Sequence, residues 1–420
     1  MTSVLQESSM EVSHRGPGRV LEMHRIPRIS VQAFHDSPEA AAVLEQVVAD
    51  RRMAGTRATL HAGGIRAALE LFHRTASPDL LIVESTAGID ELRRSLDELA
   101  NVCVAGTKLL LIGHANDIAF YRELLRLGVS EYIVAPGDPL SIIGAIARLY
   151  ETAGTAKLGR SVAFIGAKGG VGSSLIARNV ASTIARSYRG AVILADLDLP
   201  YGSANDEFDV EAPPGMAQAL EDRSRLDQVL LERLLWNCED NLSLLAAPAS
   251  LDHPFDLDED TFERVLDVAQ SSVPFVVLDI PHVWTSWACK TLLAADEVVI
   301  TAMPDLANLR NARNLLERLT RARPNDAPPR LVLNQVGVPK RAEIEPARFA
   351  SVLQVQPIAS IPFDPATIST AANRSKMIAD VSSGRSAAAK AIATIAQAVS
   401  GRTAVRSRRP SFALPRLWKR

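Results

Sequence analysis

Compact apolar runs recur along the chain, and the stretches between them carry apolar residues at helical spacing. In the first third these runs are Ile29 to Phe34, Pro78 to Val83, Lys108 to Gly113 and Glu131 to Val134. Helical periodicity fills 40–49, 67–72, 120–127 and 139–150. Further along, Val162 to Ile165, Ala191 to Ala195, Leu242 to Ala246, Pro274 to Ile280, Asp296 to Thr301, Arg330 to Asn334 and Pro357 to Ile361 repeat the pattern. Helices are expected over about 174–186, 214–236 and 306–319. A strand apolar on both faces must be covered on both faces, so strands alternating with helices predict α/β architecture with parallel sheets.

Breaks in the pattern divide the chain. Residues 1–27 are polar, include Gly16-Pro17-Gly18, and read as a disordered lead. The first alternating block spans 28–150, small and polar residues at 151–160 suit a linker, and a second block covers 161–398. A tail over 399–420 has no acidic residue and accumulates Arg402, Arg406, Arg408, Arg409, Arg416, Lys419 and Arg420.

Composition narrows the class only a little. With 420 residues the chain can hold two or three cores, and 22% charged residues is ordinary for a soluble globular protein. Cys103, Cys238 and Cys289 are far apart, which argues against a disulfide framework or a zinc ribbon and fits a reducing cytosol. No apolar run approaches the roughly 18 residues of a membrane span. A cytoplasmic protein is expected, at most attached to a membrane surface.

The candidate chemistry centres on Ser161 to Ser174. An apolar strand breaks into Ala167-Lys168-Gly169-Gly170-Val171-Gly172-Ser173-Ser174 and helix-forming residues follow. Glycines there let the backbone approach phosphates, whose charge suits a helix N-terminus. Ser174 stands where a hydroxyl would ligate Mg²⁺. Two positions depart from the strict P-loop: Ala167 replaces its first glycine and Ser173 its lysine. Asp196 and Asp198 end one strand and Asp279 another, where carboxylates hold Mg²⁺-bound water or orient an attacking water. Arg310 and Arg313 share a helix face, but the run is too short and acid-diluted to prefer DNA. His282 reads as a satisfied polar residue, and Trp284 and Trp287 as packing or interface residues.

Lys168 directly before the paired glycines resembles the deviant Walker A loop of the MinD/ParA ATPases. The resemblance implies a doubly wound parallel sheet binding ATP and Mg²⁺ through Gly169, Gly170, Val171, Gly172, Ser173 and Ser174. It also implies that Lys168 serves the phosphates, often across an ATP-sandwiched homodimer. Asp196-Leu-Asp198 with Gly202 resembles switch I, with Asp198 positioning the attacking water. Asp279 looks like the Walker B acid, joining Ser174 and Asp196 around Mg²⁺ directly or through water. Asn334 matches the family's adenine-contacting asparagine, and the loop at Pro362 resembles the one lining the base.

The first block resembles the receiver fold of response regulators, in flavodoxin-like order. Glu84 replaces the phosphoacceptor aspartate, and the acidic pair after the first strand is reduced to Asp36. Gly113 or His114 takes the place of the switch hydroxyl, and Ala135 that of the lysine before proline. A degenerate receiver used for interaction or localisation is expected. An unrelated flavodoxin-like domain would behave alike.

With Ile361 to Pro365 and Ala371 to Ile378, this order resembles the CpaE/TadZ localisation ATPases of Tad (Flp-type) pilus assembly, over about residues 28–398. That implies a cytoplasmic, polar or membrane-peripheral factor working with a pilus secretion ATPase and other Tad components. Losing one lysine forfeits up to about 4 kcal/mol of attraction at an effective dielectric near 20. Desolvation reduces this to ~1–3 kcal/mol, a ten- to hundredfold weakening. ATP binding with slow turnover is expected. A ParA-type partition ATPase binding DNA non-specifically, or a nucleotide-insensitive scaffold, are the alternatives. Phe412, Leu414, Leu417 and Trp418 among the tail's basic residues suit either a solvated tail or a membrane-surface contact, with Pro410 and Pro415 interrupting a helix.

Overall fold

A computed structural model describes residues 26–150, 158–188, 190–252, 255 and 257–401. The lead before 26, most of the linker (151–157) and the basic residues of the tail lie outside the described residues.

The first sheet is parallel throughout, in the order β2-β1-β3-β4-β5. Its strands are β1 (Ser30–His35), β2 (Arg57–Ala62), β3 (Leu80–Ser85), β4 (Lys108–Gly113) and β5 (Glu131–Val134). All six residues of β3 are buried, as a central strand between two helix layers requires. Apolar layers lie on both faces, one around Val31, Leu80 and Ile112, the other around Phe34, Val83 and Leu111.

The second sheet has eight strands: β6 (Arg160–Gly166), β7 (Val192–Asp196), β8 (Trp236–Glu239), β9 (Leu242–Leu245), β10 (Phe275–Ile280), β11 (Glu297–Ala302), β12 (Arg330–Val336) and β13 (Pro357–Pro362). Their order is β13-β12-β11-β6-β10-β7-β9-β8. β6 is central, so the glycine-rich loop at 167–172 emerges from the middle of the sheet. Alternate residues of β6 feed opposite cores: Ala163 and Ile165 join one, Val162 and Phe164 the other.

Three expectations are modified. The second sheet is mixed rather than wholly parallel, because β8 runs antiparallel to β9. The hairpin turns at Asn241, whose φ of 64° asparagine tolerates better than most side chains. The helix expected over 214–236 is two short ones, Gly215–Glu221 and Gln228–Leu234, and Trp236 already belongs to β8. β2 had no apolar run to announce it, because this edge strand keeps Arg57, Thr59 and His61 among half-exposed positions.

Gly159, just before β6, has no room for a side chain. An added Cβ would lie 1.8 Å from the Val273 carbonyl oxygen. Gly159→Ala is expected to cost about 2 kcal/mol or more by overpacking, read as a lower denaturation midpoint with unchanged slope.

Candidate functional site

The loop at 167–172 is pinned from three strands or helices. The Ala167 N–H donates to the Thr301 carbonyl at the end of β11 (2.7 Å). Asn311, from the helix Leu306–Ala322, donates its amide to the Ala167 carbonyl (2.9 Å). Asn334, on β12, donates to the Val171 carbonyl (2.8 Å), and its Oδ1 accepts from the Gln335 N–H. Gly170 and Gly172 have φ of 77° and 86°, in the left-handed region that favours glycine. Lys168, Gly169 and Gly170 are exposed on the open side, and the helix Ser173–Tyr188 starts directly behind.

Strand register brings two of the candidate acids together. Asp279 on β10 pairs with Asp196 on β7. Asp196 is almost wholly buried and accepts from the N–H groups of Asp198 (3.1 Å) and Ala204 (3.4 Å). Burial pushes its carboxyl up to about 7. Burial, and then the Asp196 charge, push Asp279 up to about 8, with the Ser174 hydroxyl acting against them. Burial disfavours the charged form of both carboxyls, whereas a bound cation would favour it. Asp198 is half-buried, accepts from the Tyr201 N–H (3.2 Å), and is also raised by burial. Gly202 packs so closely that a Cβ would sit 2.6 Å from Asp196 Oδ2.

Orphaned polar atoms test whether a nucleotide and Mg²⁺ fit. Ser173 Oγ, Asp279 Oδ1 and Thr301 Oγ1 are buried with no hydrogen-bond partner. Buried groups of this kind are normally satisfied, and these line the base of the loop, where phosphate oxygens and water-coordinated Mg²⁺ would satisfy them. No cluster of three or more His, Cys, Asp or Glu side chains among the described residues forms a metal cage.

The other candidates fall into place around this centre. Pro362 ends β13, and the next N–H, of Phe363, donates to the Val336 carbonyl (2.8 Å). The Asn334 side chain is committed to the glycine-rich loop through Nδ2 and to its own neighbour through Oδ1 rather than standing free. His282 Nδ1 lies 2.8 Å from the Gly166 carbonyl. Trp287 is buried against Phe262, while Trp284 is half exposed.

Sequence reasoning missed Asn311, Thr301 and Arg178. Arg178 stands one helical turn beyond Ser174 and is buried, 2.8 Å from Glu207 in the short helix Ala204–Phe208 but off the N–H direction. Burial lowers its pKa and raises that of Glu207. An arginine in a run as apolar as Leu175 to Val180 was the available signal.

In the first sheet, Glu84 is fully buried at the end of β3. Its carboxylate accepts from the Asp36 N–H (2.7 Å), the Ser37 N–H (2.8 Å) and the Ser37 hydroxyl (2.6 Å), with His114 Nε2 at 3.4 Å. Burial alone would raise it, but these hydrogen bonds hold it below the ordinary glutamate value. Asp36 is exposed, and its carboxylate lies against Gly64.

Strand order and loop together define a MinD/ParA-like fold preceded by a receiver-like sheet. A ParA family ATPase from Chlorobium tepidum TLS is 23% identical, over 57% of this chain and 98% of that one, with a TM-score of 0.51. The septum site-determining protein MinD complexed with Mg-ADP, from Pyrococcus horikoshii OT3, is 20% identical over 58% and 96%, also with a TM-score of 0.51. The N-terminal part is similar to the pilus assembly protein CpaE from Caulobacter crescentus CB15, at 44% identity over 31% of this chain and 98% of that one, TM-score 0.30. On that identity, the chain belongs to the CpaE family of pilus assembly proteins. No family model matches the chain, and no curated protein gives a significant match.

Proposed function

We propose that this protein is an ATP-binding localisation factor for Tad/Flp pilus assembly that works as a nucleotide-gated homodimer with slow or no turnover. The observation that carries the nucleotide reading is the pair of buried, unpartnered atoms Ser173 Oγ and Asp279 Oδ1 beneath an open glycine loop. Gly169, Gly170, Val171, Gly172 and Ser173 would cradle the phosphates, and Ser174, Asp196 and Asp279 would hold Mg²⁺ directly or through water. When bound, the ion supplies charge neutralisation for phosphoryl transfer. Asn334 and the loop after Pro362 border the place for the base. Asp198, half-buried beside this centre, orients the attacking water.

The dimer reading rests on what surrounds the loop. Tyr201, Trp284 and Leu306 follow the C-terminal ends of β7, β10 and β11 and are 70%, 50% and 74% exposed. Large apolar side chains ringing a phosphate site suit closure against a second copy, with Lys168 reaching into the shared pocket. A pilus secretion ATPase and other Tad components are the further partners, at a cell pole or the inner membrane surface. No helix among the described residues is long and apolar enough to cross a membrane.

Asp198→Asn separates hydrolysis from occupancy. Affinity for Mg-ATP is expected to stay within about threefold of the parent, while any phosphate release falls at least about tenfold. Titration with a fluorescent ATP analogue, alongside a phosphate-release assay, reads both. A nucleotide-insensitive scaffold would bind nothing in the first measurement.

A further inference from the structure

The two sheets meet through a buried polar network that the nucleotide chemistry does not use. Its N-terminal half is a 3₁₀ turn, Arg51–Met53, capped by Asp50. Arg51 donates through Nε to Asp326 (2.9 Å), through Nη1 to the Ala294 carbonyl (3.0 Å), and lies 3.4 Å from Asp296. Arg52 binds Asp326 and Asp50, and Asn325 donates to Asp50 (3.0 Å). Arg323 completes the set, donating to Asp326 (2.7 Å) and to the carbonyls of Leu292 (3.1 Å) and Asp296 (3.2 Å). Asp326 thus receives three guanidinium groups while its side chain is only 7% exposed.

A network this buried is costly to leave half-satisfied, so it holds the sheets together rather than decorating a surface. Burial would raise Asp326, but Arg51, Arg323 and Arg52 hold it down to about 2. A depressed carboxylate contributes above its unfolded value near pH 4 and loses that contribution as pH falls toward 2. The contact is therefore charged throughout the neutral range.

The same residues continue into the phosphate loop. Asp296 accepts from the Ser161 N–H (2.9 Å) and hydroxyl (3.0 Å), at the start of the strand that ends in Gly166. Asp296 also immediately precedes β11, whose Thr301 carbonyl holds Ala167 at the far end. Arg323 caps the helix whose Asn311 holds the Ala167 carbonyl. Three rigid elements thus run from the contact to one loop residue.

We propose that Arg51, Arg52, Asp326 and Arg323 form a clamp that docks the receiver-like sheet on the end of the second sheet where β11 and β12 begin, remote from the phosphate loop, and that docking and loop order are linked. The receiver-like sheet is then a fixed regulatory part of the molecule. In a dimer closed across the loop face, the two copies of this sheet would occupy the outer ends.

The test uses the full chain without nucleotide. R51E/R52E is expected to raise the radius of gyration by roughly a tenth in solution scattering, as a docked domain is released. It is also expected to speed amide exchange at 167–172 at least threefold, with D326N showing the same changes at smaller size. Exchange within β3 and β4 should stay as in the parent, reporting an intact receiver-like sheet. An unchanged radius overturns the clamp. A larger radius with parent-like exchange at 167–172 overturns the linkage. If R51E/R52E gives no folded protein by circular dichroism, D326N decides by the same two readings. Neither reading needs ATP, so a failure of the nucleotide proposal would show separately, as absence of binding in the parent.

Discussion

Gly172→Ala is expected to weaken Mg-ATP binding by about ten- to hundredfold, equivalent to ~1–3 kcal/mol. Gly172 sits at a φ of 86°, where an L side chain is strained, and its Cβ would fall 2.7 Å from Asn334 Nδ2. That amide holds the Val171 carbonyl and so fixes the turn at 170–172. The substitution must either flatten the loop or displace Asn334, and each misplaces the phosphate cradle. The fold should lose only about 1–2 kcal/mol, because the change is confined to one turn. Titration of a fluorescent ATP analogue beside a chemical melt reads both quantities. Parent-like affinity would show that the cradle is not where the nucleotide sits.

Lys168→Ala is expected to weaken nucleotide-dependent dimerisation, shifting the midpoint at least about tenfold in protein concentration. Lys168 is exposed and forms no ion pair among the described residues, so its removal should leave the monomer's stability within about 0.5 kcal/mol. It is also the one cation between Gly166 and Ser174, because Ser173 stands where a lysine would. A charge with no role in the monomer and sole possession of the loop is one whose effect should appear only with nucleotide and partner present. Analytical ultracentrifugation with a non-hydrolysable analogue measures it. A variant that dimerises like the parent would remove Lys168 from the shared pocket.

The strands that form the centre of each sheet were legible because burial on both faces demands unbroken apolar runs. β6, β7, β10 and β11 carry such runs, and the acids at their ends come with them. Edges obey weaker constraints. β2 reads as mixed because one side of it meets solvent, and β8 was hidden because Gln228 to Glu239 changes from helix to hairpin without a glycine or proline. The glycine-rich loop was visible as local spacing, whereas the bonds bracing it were not. Asn311 is an ordinary polar residue until the fold brings it 144 positions back to the loop, and Asn334, legible as a candidate contact to the base, gave no sign of its bond to Val171, 163 positions away. The same holds for Arg51 and Asp326, which are 275 residues apart and meet only across the two sheets. Interactions of that sequence separation leave no periodic trace for a reader of the chain.

The account stands on occupancy of the loop by a nucleotide despite the serine at 173. Isothermal titration of the full-length parent with ATP and Mg²⁺ measures this directly. Saturable one-to-one binding in the micromolar range, lost when Mg²⁺ is withheld, is the predicted result. No heat of binding at millimolar ATP would contradict it and leave the second sheet a scaffold that has kept the shape of a nucleotide site without its use.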